Sequence, residues 1–172
     1  MLATALLEKQ HRKVEKIFKK LEGAPSNGEA LVVELADDLA AHMVIEERIF
    51  YPAVRKLKNA LVLEGYEEHA IARYALKRLL ATSATDETFP AKVTALKELI
   101  ADHIKEEEHE LFPKVRKSMD EAQLVTLGKE MQTLFDHSVA AGYEAAMRGL
   151  DAEKKAKRPV AADGMKASAS AR

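Results

Sequence analysis

The apolar positions of this 172-residue chain recur at intervals of three and four, which predicts amphipathic helices and no alternating strand pattern. A first helix is expected from about Leu2 to Glu22, with Leu7, Val14, Ile17, Phe18 and Leu21 forming its stripe. The run Gly23-Ala-Pro-Ser-Asn-Gly28 ends it, and Ser26 or Asn27 is placed to cap a second helix. That helix starts near Glu29 and carries Leu31, Leu35, Leu39, Val44 and Ile49 towards Pro52, where the proline ring should kink it or end and restart it. A third helix is expected from about Leu61 to Leu80, followed by the break Ala81–Asp86. A fourth opens at Thr88-Phe-Pro90, where a first-turn proline is harmless, and runs past Pro113. Ser118-x-x-Glu121 reads as a capping box for a fifth helix reaching about Arg148.

The expected architecture is an all-α, antiparallel up-down four-helix bundle with an additional C-terminal helix. One domain is expected over 1–150, with a core unit at 2–117 and the extra helix at about 118–148. The segment 151–172 is rich in Ala, Lys and Ser, has no apolar periodicity, and reads as a flexible basic tail.

An internal repeat carries the chemistry. His42-Met-Val-Ile-Glu-Glu-Arg-Ile-Phe-Tyr-Pro-Ala-Val-Arg-Lys56 aligns with His103-Ile-Lys-Glu-Glu-Glu-His-Glu-Leu-Phe-Pro-Lys-Val-Arg-Lys117 at an offset of 61, with seven of fifteen positions identical. Each copy follows a helix with one lone histidine, His11 before the first and His69 before the second. The chain is thus two helix hairpins, each offering a lone His and a His-x-x-x-Glu. Residues four apart on a helix stand one above the other, about 5–6 Å between Cβ atoms, so an imidazole and a carboxylate at that spacing reach one metal. Pooled, the hairpins offer His11, His42, His69 and His103 with Glu46 and Glu107. Two metals about 3.5–4 Å apart, each on two imidazoles with both carboxylates bridging, satisfy the symmetry.

Composition narrows the chemistry. The chain has no cysteine, which excludes disulfides, thiolate catalysis, zinc–thiolate sites and iron–sulfur clusters. Imidazole and carboxylate suit Fe, Mn or Zn, and a symmetric pair with bridging carboxylates favours iron, which accommodates a change of oxidation state. A net charge of −1 gives no footprint for nucleic acid. No stretch approaches 18 uncharged apolar residues, and the N-terminus lacks a secretory pattern, so a cytoplasmic protein with no membrane association is expected. His109 and His137 are expected at the surface or in packing. Glu15 is a weaker ligand candidate, and Glu47 and Glu108 lie about 100° further round their helices, outside the ligand set. Tyr51, Phe50, Met43, Leu111 and Phe112 read as core.

The motif set resembles the hemerythrin-like HHE cation-binding domain family: His11 in Lys-Gln-His-Arg-Lys-Val, His42-x-x-x-Glu46 ending in Tyr51-Pro52, Glu68-His69, and His103-x-x-x-Glu107 ending in Phe112-Pro113. The resemblance spans about Leu2 to Lys117. It implies a non-haem centre of two iron ions joined by an oxo or hydroxo bridge, with His11, His42, His69 and His103 as ligands and Glu46 and Glu107 as bridges. Oxygen carriers of this family have a further His where this chain has Arg73, and an Asp five residues after the fourth-helix His where this chain has Glu107 at four. Fewer imidazoles leave the metals more open, which suits reactivity over reversible transport. The expected role is binding or sensing a small oxidant ligand (O₂, NO or peroxide). The alternatives are an enzyme consuming peroxide or NO, and an interaction or regulatory module that the metal holds together.

Overall fold

The computed structural model describes residues 1–23 and 27–157, and its described residues are helical with no strand. The elements are α1 (Ala3–Gly23), α2 (Gly28–Ile45), a π-helical turn (Glu46–Phe50), α3 (Tyr51–Val54) and α4 (Asn59–Leu80). The second half follows with α5 (Phe89–Glu106), a π-helical turn (Glu107–Leu111), α6 (Phe112–Ser118), α7 (Glu121–Ala141) and α8 (Tyr143–Lys157). Around the bundle, α1 neighbours α2, α2 neighbours α4, α4 neighbours α5, and α5 closes against α1. No helix among the described residues is long and apolar enough to cross a membrane.

The hydrophobic core comes in two clusters. One holds Val14–Leu21 of α1, Val32–Val44 of α2, Ala72–Leu79 of α4 and Val93–Ile104 of α5. The other holds Ala3–Leu7, Ile45–Val54, Val62 and Leu111–Val115 with Leu124 and Met131 of α7. Along α1 and α4 the chain passes from the second cluster to the first, and along α2 and α5 from the first to the second. The four helices therefore alternate in direction, as an up-down bundle requires. His11 and His69 fall between the two clusters on their helices, and His42 and His103 fall within two residues of the first cluster's end on theirs. The histidines form a polar layer between two apolar ones.

Prolines 52 and 113 neither end nor break their helices. Each chain segment widens by one π-helical turn just before its proline, and the N–H groups of Tyr51 and Phe112 donate five residues back, to the carbonyls of Glu46 and Glu107. The wide turn admits a ring that lacks an N–H and collides with the carbonyl one α-turn back. Both turns occur at the same place in the repeat, immediately after the histidine-bearing turn.

Helix α7 packs on α1 and α2, and α8 packs on α2 and α7. This cover explains why α2 is buried on every side from Asp38 to Ile45, and why six of those eight residues are apolar. The close approach of α7 to α1 needs Gly128, where a Cβ would collide with the Met1 carbonyl.

The C-terminal half differs from the sequence expectation in three places. The capping box is Asp120 with Gln123, not Ser118 with Glu121: Asp120 accepts from the Gln123 N–H at 2.8 Å, and Gln123 accepts from the Asp120 N–H at 3.0 Å. The extended Met119 moves the helix start two residues on. The expected single helix to Arg148 is broken at Gly142, whose φ of 78° favours glycine, and the new helix is tied back by the Tyr143 N–H donating to Asp37 at 2.8 Å. Helix α8 also takes in 151–157, the start of the expected tail; 158–172 lie outside the described residues. At α2, Asn27 is the N-cap but its side chain makes no capping bond, and Ser26 lies outside the described residues.

Candidate metal centre

All six residues singled out by the repeat meet in the polar layer, and all are buried: His11, His42, Glu46, His69, His103 and Glu107. The imidazoles pair by hairpin, His11 with His42 at 5.0 Å between ring centroids and His69 with His103 at 4.9 Å. The carboxylates cross between the pairs. Glu46 Oε2 is 3.1 Å from His42 Nε2 and 3.2 Å from His69 Nε2. Glu107 Oε2 is 3.4 Å from His11 Nε2 and 3.7 Å from His103 Nε2. Each carboxylate thus touches one imidazole from each hairpin. Among these six residues two groups of donors lie close enough to share an ion, His11–His42–Glu46–Glu107 and Glu46–His69–His103, and Glu46 belongs to both.

The inward direction of the four Nε2 atoms is set from behind. Each Nδ1 faces a side-chain oxygen: His11 faces Glu108 at 2.8 Å, His42 faces Gln10 at 2.9 Å, His69 faces Glu47 at 3.2 Å, and His103 faces Glu68 at 2.7 Å. An oxygen that only accepts makes Nδ1 the protonated nitrogen and leaves the Nε2 lone pair free, as a metal-binding imidazole requires. Arginines steady two of these carboxylates, Arg12 on Glu108 and Arg73 on Glu47. Arg73, where a carrier would have a further imidazole, supports the shell from outside.

Aromatic rings close the carboxylate end. Tyr51 stacks on His69 (5.5 Å, 26°) and its hydroxyl donates to Glu107 Oε1 at 2.9 Å. Phe112, its counterpart in the repeat, stacks on His11 (5.9 Å, 9°). Tyr51 is core by burial, as expected, but its hydroxyl belongs to the site. A Cβ at Gly65 would lie 2.7 Å from that hydroxyl, so this glycine makes its room.

The electrostatics are those of buried imidazoles set among carboxylates. Burial alone would lower His103, but Glu107, Glu68 and Glu46 outweigh it and push its pKa up to about 9. His11 is raised the same way by Glu107, Glu46 and Glu108 against burial. For His42 burial wins over Glu46 and the pKa is lowered. Burial would raise Glu46, but His42 and His69 hold it well below the usual carboxylate range. Burial, then Glu107 and Glu46, push the Tyr51 phenol well up, so it stays a donor.

The donors fit a metal. His11 Nε2, both Glu46 oxygens and Glu107 Oε2 are buried without a hydrogen-bond partner, an arrangement costly unless a cation completes it. Four nitrogens and carboxylate oxygens without sulfur are a borderline-to-hard set.

The remaining candidates fall outside. Glu15 pairs with Arg12 at 3.2 Å and joins no donor group among the described residues. His109 is exposed and bonds the Lys105 carbonyl, and His137 is exposed. Two further tyrosines of α4 also fall outside the donor set: Tyr66 donates to the Glu47 carbonyl, and Tyr74 lies 67% exposed. Reading from sequence missed Gln10, Glu68 and the Tyr51 hydroxyl as parts of the site. The repeat held the signal: Gln10 and Glu68 both precede the lone histidine, and Glu47 and Glu108 both follow the paired glutamate.

Comparison with known proteins agrees with the geometry. The family model described as hemerythrin HHE cation binding domain matches residues 2–115. A solved structure titled as a hemerythrin HHE cation binding domain-containing protein from Mycobacterium kansasii superposes with a TM-score of 0.73 at 24% identity, covering 82% of this chain and 89% of that one. A protein named DNA nickase from Nostoc sp. is 27% identical over 121 residues, 69% of this chain. The match takes in 34% of that relative, so the chain spans about a third of its length.

Proposed function

Because the chain belongs to the hemerythrin HHE cation-binding domain family, we propose that it holds two iron ions and uses them to bind or sense a small oxidant ligand of the O₂, NO or peroxide class. The observation that carries the reading is the set of six buried donors, with oxygens of both carboxylates left unpaired and each carboxylate touching imidazoles of both hairpins. His11 and His42 would hold one ion and His69 and His103 the other, with Glu46 and Glu107 as the carboxylates within reach of both imidazole pairs. Bound iron would supply a redox-active Lewis acid.

The chain's own residues do the rest. Glu108, Gln10, Glu47 and Glu68 keep the imidazoles in the ligating tautomer and orientation. Tyr51 holds a proton at Glu107 Oε1, where a hydrogen bond tempers the charge of one carboxylate only. Leu39, Met43, Val14, Ile100 and Ile104 enclose the imidazoles on the other side and limit water. The name of the Nostoc protein does not extend to this chain in our reading, because the likeness covers a third of that protein.

The test is iron content with optical spectra. Wild type should take up two irons per chain and change its spectrum on exposure to O₂ or NO. His42→Ala and Glu107→Ala should lose iron, the second disturbing both ions together. A chain that never holds two irons sinks the proposal. Steady-state consumption of peroxide and NO then separates turnover from binding.

A further inference from the structure

A cavity of about 270 Å³ opens in the seam between α1 and α5. Val14, Phe18, Ile100 and Ile104, all buried, form its apolar lining, while Glu15, Lys19 and Lys97 stand at its rim. The small Ala101 leaves the gap open from the α5 side, and the Lys97–Glu22 ion pair at 2.6 Å ties the two helices together. Beneath lies a void of about 10 Å³, bounded by the four imidazoles, Leu39 and Met43. Val14, Ile100 and Ile104 line both spaces, so three aliphatic side chains are the partition between an open cavity and the imidazole layer.

We infer that this cavity is a holding site for a small, uncharged, weakly polar molecule, O₂ or NO in class, and that Val14, Ile100 and Ile104 are its door to the metal centre. The inference rests on the proposed centre for what the molecule meets inside, but not for the cavity's own occupancy. Chemistry sets the ligand class: an apolar floor returns nothing for lost hydration, so ions stay at the charged rim, while apolar cavities take up xenon. Position sets the route. On α2 and α5 the carboxylates Glu46 and Glu107 lie one turn after the histidines, whereas Leu39 and Ile100 lie one turn before them. The cavity therefore reaches the imidazoles from the side the carboxylates leave free. The other opening near the centre has Leu61, Gly65 and Leu111 in its wall beside Tyr51 and His103, but it also carries the three carboxylates Glu68, Glu106 and Glu107, which suit a cation better than a neutral diatomic.

Xenon and one rim substitution decide the matter. In xenon-pressurised crystals, xenon should occupy the α1–α5 cavity of wild type with or without iron. Ala101→Phe, which plugs the cavity from an exposed position, should exclude it. In iron-loaded protein the same change should slow NO association at least tenfold, with iron content and the resting spectrum unchanged. Ala101→Leu, a smaller plug, should give an intermediate slowing and serves if the larger one disturbs folding. Absence of xenon from the cavity, or a plug that excludes xenon yet leaves NO association unchanged, overturns the inference. A protein that binds xenon there but never loads iron overturns the proposed function and leaves the holding site standing.

Discussion

The two hairpins supply the same scaffold and different chemistry. Behind the histidines, Glu108–His11 corresponds to Glu47–His69, and Gln10–His42 corresponds to Glu68–His103. Three of these four supports are anionic and one is a neutral amide. The consequence shows in the imidazoles, since His103 is raised to about 9 with Glu68 among the causes while His42, backed by Gln10, is lowered by its burial. At the carboxylate end, Tyr51 on His69 corresponds to Phe112 on His11. Gly65, four residues before His69, stands where the first hairpin has Leu7, four before His11. A hydroxyl in one half thus coincides with a missing side chain on the facing helix. Symmetry positions the donors, and departures from it make the two ion positions unequal.

The largest test copies one half into the other. Gly65→Leu should overpack against a ring whose nearest carbon is already 3.0 Å from a hypothetical Cβ, costing about 3 kcal/mol or preventing folding. Adding Tyr51→Phe removes the closest contact, the hydroxyl at 2.7 Å, and should recover part of the loss in chemical denaturation. No recovery would mean that the glycine serves something other than the phenol. Of smaller effect, Glu68→Gln should weaken ion binding at the His69–His103 pair about tenfold, within the range seen for such supporting partners. Gln10→Glu should tighten binding at the His11–His42 pair, so a competitive Co²⁺ titration that resolves two steps in wild type should merge them in the single variants.

The smallest effect is on pH dependence without metal. His103 has a folded pKa of about 9, above its ordinary 6.5, so its stabilising share is complete below pH 6.5 and disappears as pH rises through 9. The melting temperature of metal-free protein should fall between pH 7 and 10, and Glu68→Gln should flatten that fall. A wild-type profile already flat over this range would contradict the assignment.

What the chain reveals in advance divides by whether a contact lies within one helix or between two. His42–Glu46 and His103–Glu107 are four residues apart and visible as spacing, and the repeat supplies their partners His11 and His69. The bundle follows from helix periodicity and short breaks. The supports are different, because Glu108 reaches His11 across 97 residues and Glu68 reaches His103 across 35. No periodicity within one helix encodes such a pairing. The Tyr51 hydroxyl was hidden by residue type, since a tyrosine in an apolar run reads as packing. The boundary at Gly142 was hidden because one glycine inside a helical pattern is ordinary until its φ is known.

The polar layer between the two apolar clusters also bears on how the molecule comes apart. Four helices share one charged stratum between the upper and lower cores, which Leu134 bridges on the α7 side. Without metal, the two ends are expected to open as separate cooperative units, with amides of α1 near Leu6 and near Ile17 exchanging at different rates. A bound ion pair ties all four helices at that stratum and should merge the two openings into one. Metal loading would then be readable in hydrogen exchange as a gain in cooperativity, far from any ligand atom.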